Sequence, residues 1–169
     1  MAAERPPVPG WTPPGAVGRK AILDDARSIA IVGMSSNPAR ASYFVGTYLL
    51  SSSASYDVWF VNPREREILG RPVFADLASL PAVPDIVDVF RRAEDLPGVA
   101  DEAIEVGAKV FWAQLGLWSV EAATRCVDAG LDVVMDRCLK IEHARFHGGL
   151  HLAGFDTGVV SSRRARPGA

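Results

Sequence analysis

The run Ser28-Ile29-Ala30-Ile31-Val32-Gly33-Met34 decides the fold, because it is short, β-branched and almost wholly apolar. A strand with one wet face alternates polar and apolar residues, whereas a strand covered on both faces does not. The run therefore predicts a buried parallel strand that stops at Gly33. Four more runs of this kind follow: Asp57 to Val61, Asp85 to Phe90, Ala108 to Gln114 and Asp132 to Met135.

Between these runs the spacing changes to that of helices. Phe44, Val45, Tyr48 and Leu49 share one face of a helix from Ser42 to Leu50. A second helix is expected from Glu94 to Val106, with Gly107 as its stop, and a third from Ser119 to Ala129, with Ser119 as its N-cap and Gly130 closing it. Arg64 to Pro84 reads as a loop with one helical turn around Asp76 to Ser79. Alternating strands and helices imply right-handed crossovers. The expected fold is α/β and Rossmann-like: a doubly wound, mostly parallel, five-stranded sheet with helices on both faces, in a single domain.

A chain of 169 residues with 49% hydrophobic and 22% charged residues is ordinary globular material for one core. The formal net charge of -2 gives no broad positive field, so neither nucleic acid nor an anionic membrane is an expected partner. Two cysteines, Cys126 and Cys138, in a chain with no need of a disulfide favour a reducing compartment. With no signal-peptide pattern and no long apolar run, the expected location is cytoplasmic. The boundaries expected are a Pro-rich arm over 1–17 that Trp11 could pin to the domain, the domain proper over 18–155, and a basic tail over 156–169.

In such sheets ligands collect beyond the carboxyl ends of the strands, so the residues just after each strand carry the functional reading. After the first strand, Gly33, Ser35, Ser36, Asn37 and Arg40 lead into a helix. Free amides at a helix start, polar side chains and a guanidinium together suit a phosphate, although a capped, solvated turn would read the same way. The three-glycine dinucleotide fingerprint is missing, and so is an acidic residue at the end of the second strand. Asn62, Pro63, Arg64 and Arg66 stand there instead, and an arginine favours a phosphorylated ribose such as coenzyme A and NADP both carry. Val89 and Phe90 beside Arg91 and Arg92 could pack on a base, while Gln114 and Gly116 could approach a ligand amide.

Taken together these segments resemble the small bacterial CoA-binding domain family, stand-alone relatives of the nucleotide-binding domain of the succinyl-CoA synthetase alpha subunit. The resemblance rests on the G-x-S-x-x-P-x-R-x-S segment from Gly33 to Ser42, Val61-Asn62-Pro63, Gly70, Asp85 to Phe90, Trp112 to Gly116, and Met135-Asp136-Arg137-Cys138 with Lys140 and Glu142. It spans roughly residues 20 to 155 and departs from the family's commoner form in the serine-rich link from Ser51 to Tyr56. It implies coenzyme A as the cofactor. Gly33, Ser35, Ser36 and Arg40 would hold phosphates, and Asn62, Pro63 and Arg64 would flank the adenosine. Val89 and Phe90 would line the base, with Gln114 and Gly116 farther along.

The expected function is binding of coenzyme A or an acyl-CoA by a carrier, sensor or regulatory module without complete catalytic machinery, and no catalytic or metal-ligating residue is assigned. Two alternatives stay open, an NADP-binding oxidoreductase-like domain and a Rossmann-shaped interaction protein with a vestigial site. A homodimer is the expected assembly. His143, His147 and His151 make a zinc site conceivable, but Gly148-Gly149 breaks the helical spacing, so packed or solvated histidines are expected. Cys138 after the fifth strand could exchange disulfides with the CoA thiol if Arg137 activates it, the plainer reading being a small buried residue.

Overall fold

The structure, a computed structural model, describes residues 4–51 and 55–147. Seven strands form one sheet in the order β3-β4-β2-β1-β5-β6-β7. The expected strands are all present as β1 (Ser28–Val32), β2 (Asp57–Val61), β5 (Ile86–Val89), β6 (Val110–Ala113) and β7 (Asp132–Val134), paired in parallel. The expected number of five is corrected to seven by β3 (Glu67–Ile68) and β4 (Arg71–Phe74), which lie where a loop was expected. They form a hairpin turned by Leu69 and Gly70, both at positive φ, as a primed turn requires. β4 then pairs with β2 in parallel. With β4 counted as the third parallel strand, the order is the usual Rossmann one, and it reverses between β1 and β5.

The unbroken apolar runs have the cause anticipated for them. Ile29 and Ile31 join Val58, Phe60, Ile86 and Trp112 on one face, while Ala30 and Val32 join Val87, Val89, Phe111 and Ala113 on the other. Each large apolar side chain so buried contributes ~1.5–3 kcal/mol. Helices α3 (Leu96–Val106) and α4 (Val120–Asp128) cover the second face. Their alanines 100, 103, 122 and 123, all fully buried, let them pack together closely. Ser119 caps α4 as expected, its Oγ accepting the Ala122 amide at 3.1 Å. The turn near Asp76 is a 3-10 turn (Leu77–Ser79) that Asp76 caps.

The first face is covered by α1 (Ala16–Asp25), α2 (Ala41–Ser51) and α5 (Leu139–His147). Neither α1 nor a complete α5 is apparent from apolar spacing, because both bury charge. Arg19 of α1 donates to Glu142 of α5 at 2.7 Å, and Arg145 reaches the same carboxylate at 3.4 Å, with all three residues at most 5% exposed. α1 starts at Ala16, inside the expected arm. The stretch before it is extended, yet it is packed: Val8 is buried, Trp11 donates to the Val133 carbonyl at 3.2 Å, and Trp118 donates to the Pro6 carbonyl at 3.0 Å. No helix among the described residues is long and apolar enough to cross a membrane. The tail over 156–169 and His151 lie outside the described residues.

Candidate functional site

The reversal between β1 and β5 leaves a crevice beyond their carboxyl ends, and Gly33 is its floor. Gly33 has φ +84, and a Cβ placed on it would stand 2.3 Å from the Phe90 carbonyl oxygen. Any larger residue would push β1 and β5 apart where they meet. Two clefts open on either side of this point, sharing Gly33 and Arg91.

The larger cleft, about 540 Å³, brings together five of the residues singled out from the sequence: Gly33, Ser35, Arg40, Phe90 and Gln114. Ala41 and Ser42 also line it, and they begin α2. Arg40 is the N-cap of this helix, since its carbonyl accepts the Phe44 amide at 3.3 Å. The amides of Ala41, Ser42 and Tyr43 therefore have no intrahelical partner, and the positive end of the helix faces the cleft. Arg40 is exposed and forms no ion pair among the described residues. A free guanidinium beside three free amides is an anion-accepting arrangement.

The loop ahead of the helix is less available than its sequence implies. Ser36 donates both its amide, at 3.2 Å, and its hydroxyl, at 2.7 Å, to Glu65 Oε1, and these bonds hold the Glu65 carboxyl below its ordinary pKa. The Asn37 amide donates to Ser35 Oγ, and Asn37 Oδ1 accepts the Ala39 amide. The Ser35 amide is taken by Ser42 Oγ at 3.1 Å. Ser36 and Asn37 thus line neither cleft, and a protein carboxylate stands where an anion was expected at Ser36.

Asn62 serves the backbone, donating to the Met34 carbonyl at 2.8 Å and accepting the Arg64 amide at 2.9 Å. It ties the end of β2 to the loop after β1. Arg64 is exposed without an ion-pair partner among the described residues, and Pro63 lines the smaller cleft of about 360 Å³. That cleft is acidic, with Asp76, Glu94, Asp95 and Glu102 around Arg91, a feature that the arginines after β2 did not foretell. The expected role of Val89 is corrected: it is 0% exposed, in the core toward α3, and cannot touch a base. Phe90 alone of that pair reaches the cleft. Gly116 donates its amide to Asp136 Oδ1 at 2.6 Å, and its neighbours Leu115 and Leu117, rather than Gly116, form the wall.

Behind that wall lies a buried acid that sequence reasoning missed. Asp88 is 0% exposed, and Gln114 Nε2 donates to its Oδ1 at 2.5 Å. Burial pushes the Asp88 carboxyl up to about 8, Gln114 opposing this only in part, and Oδ2 has no partner. Asp88 was missed because a lone acid in Ile86-Val87-Asp88-Val89 reads as a solvent-facing position, whereas both faces of this strand are covered. With its amide nitrogen committed, Gln114 has its carbonyl oxygen left for a ligand. Cys138 lines the cleft too, and burial pushes its thiol up, whereas an activating Arg137 would have lowered it. His143 accepts or donates a bond with Tyr48 Oη at 2.8 Å, and burial lowers it to about 4. His143 and His147 pack together and His147 meets Asp24 at 2.8 Å, and no metal-binding group occurs among the described residues.

The fold and crevice define a class, that of mostly parallel Rossmann-like domains with an anion-accepting cleft at the carboxyl edge. The chain belongs to the CoA binding domain family, whose model matches residues 27–144. It is 43% identical over 125 residues to the uncharacterized protein YneT of Bacillus subtilis, covering 74% of this chain and 91% of that one. A hypothetical protein from Pyrococcus horikoshii is 35% identical with a TM-score of 0.74, covering 85% of this chain and 97% of that one. A dinucleotide forming acetyl-coenzyme A synthetase 1 from Ca. Korarchaeum cryptofilum shares the fold, at 21% identity and TM-score 0.58, over 63% of this chain and 25% of its own.

Proposed function

We propose that this chain binds coenzyme A or an acyl-CoA across the two clefts, as a carrier, sensor or regulatory module without complete catalytic machinery. The observation that carries the reading is the start of α2 beside a cleft, its first amides lacking intrahelical partners and Arg40 without an ion-pair partner among the described residues. The pyrophosphate would meet these amides and Arg40, close above Gly33, where no side chain intrudes. The adenosine would extend toward Pro63, with Arg64 near enough in sequence to take the ribose phosphate. The pantetheine arm would run along the apolar wall of Phe90, Leu115 and Leu117, and Gln114 would accept from one of its amides.

Calorimetric titration with coenzyme A, dephospho-CoA, NADP and NAD tests the reading. Coenzyme A should bind most tightly, with dephospho-CoA weaker. Arg40→Ala should cost about 1.5–3 kcal/mol, or roughly tenfold or more in affinity, as expected for a hydrogen bond to a charged group. An unchanged affinity, or tighter binding of NADP, would overturn it.

A further inference from the structure

The turn that carries the wall of the larger cleft is held from behind by Asp136. Leu115 and Leu117 flank Gly116 in this turn after β6, which the Leu117 amide closes by donating to the Gln114 carbonyl at 2.9 Å. Asp136 Oδ1 accepts the Gly116 amide at 2.6 Å, and the Asp136 amide donates to the Leu117 carbonyl at 3.2 Å. Asp136 makes both bonds from left-handed backbone, at φ +57, which aspartate and asparagine tolerate better than most residues. Its other oxygen, Oδ2, meets Arg5, whose Nε and one terminal nitrogen are each 3.4 Å away. Arg5 also stands over the Trp118 ring, 5.9 Å from its centre, and the Trp118 indole donates to the Pro6 carbonyl. Trp11 packs edge-on against Trp118, and Val8 anchors the stretch in the core. The family match begins at residue 27, so this N-terminal strap lies outside it.

Resting on the coenzyme A reading above, we infer that Asp136 is a positioning residue for the ligand and that the strap sets its grip, coupling residues 5–11 to affinity in the cleft. None of Arg5, Val8, Trp11, Trp118 and Asp136 lines that cleft, so the strap acts only through the turn. Glycine at φ +86 leaves the turn free to adopt other conformations, and each would move Leu115 and Leu117. The bond from the Gly116 amide to Asp136 selects one of them. A carboxylate without Arg5 is free to turn toward solvent, which loosens its hold on the amide; with Arg5 in place both oxygens are committed. Ordering the wall before the ligand arrives removes part of the cost of binding. The coupling is reciprocal, so a ligand that favours the held turn must also tighten the strap.

Calorimetry with coenzyme A and amide hydrogen exchange, both on the full chain, test this together. Arg5→Ala and Asp136→Asn each remove the ion pair. Asparagine suits the backbone at 136 but has one acceptor oxygen, enough for Gly116 or for Arg5 and not for both. Each variant should weaken coenzyme A about two- to fivefold, the range for an exposed ion pair, and the double variant should be no weaker than either. Arg5→Lys should restore most of the affinity. Without ligand, Arg5→Ala should speed exchange at the Gly116 amide by a similar factor. In the wild type, coenzyme A should slow exchange at the Trp11 amide, which donates to the Val8 carbonyl within the strap. A merely structural strap would lower the urea midpoint of these variants and leave affinity unchanged; that result overturns the inference, as do additive losses in the double variant. A wild type that fails to bind coenzyme A, with Gly116 exchange still faster in Arg5→Ala, refutes the coenzyme A reading while supporting the hold on the turn.

Discussion

Replacing Asp88 by asparagine should make the protein more stable at neutral pH, although it removes a charge-capable group from a hydrogen bond. Asp88 is 0% exposed and burial raises its carboxyl from 3.8 to about 8, so the folded protein keeps it protonated where the unfolded chain would release the proton. Between those values the unfolded state binds fewer protons than the native state, so stability falls as pH rises, and the loss is complete above about 8. At ~1.4 kcal/mol for each pH unit, holding that proton at pH 7 costs about 4 kcal/mol. The amide introduced by Asp88→Asn would keep the bond from Gln114, but its own nitrogen would be buried where Oδ2 already lacks a partner, at a cost of about 1–3 kcal/mol. The net expectation is a gain of about 1–3 kcal/mol at pH 7 that shrinks toward zero or reverses near pH 5. His143, lowered to about 4, acts with the opposite sign below pH 6.5, where stability is lost as pH falls, so the wild-type profile mixes the two groups. The difference between variant and wild type isolates Asp88. Urea titrations at half-unit steps from pH 5 to 9 measure it, and a difference that does not vary with pH would refute the buried, protonated acid.

Other substitutions probe the remaining supports. Gly33→Ala forces a Cβ into left-handed backbone against the Phe90 carbonyl and should destabilise by about 3 kcal/mol, seen as a lower urea midpoint with unchanged slope. Glu142→Gln leaves Arg19 and Arg145 buried without their counter-charge and should cost about 3–5 kcal/mol by the same assay. Glu65→Ala frees the Ser36 amide and hydroxyl and removes a negative charge near the start of α2, so coenzyme A should bind more tightly by calorimetry. An unchanged or weaker affinity there would mean that Glu65 does not compete with a phosphate.

The parallel core was legible because its strands are apolar on both faces, a pattern that solvent-facing strands do not share. The Ser119 cap and the Asp76 turn were legible for a similar reason, since each is a local hydrogen bond between near neighbours. α1 and α5 were hidden because their buried faces carry Arg19, Glu142, His143 and Arg145, and only the partner helix makes those residues tolerable inside. β3 and β4 were hidden by their brevity and by Pro72, which suits only a strand near an edge. Beyond the strand ends, Gly33, Ser35, Arg40, Phe90 and Gln114, singled out by the rule that ligands gather there, come together around one cleft. Val89 failed because an even or odd position in a doubly covered strand leaves no mark in the sequence. Ser36 failed because Glu65, twenty-nine positions away, reaches back to it.

The account turns on the start of α2 as an anion seat. Backbone amide shifts in an isotope-labelled sample, followed by NMR as coenzyme A is added, read that seat directly. Ala41, Ser42, Tyr43 and Gly33 should move most and saturate together, and Arg40→Ala should weaken the response. Saturable shifts elsewhere on the protein, with those four amides still, would contradict it.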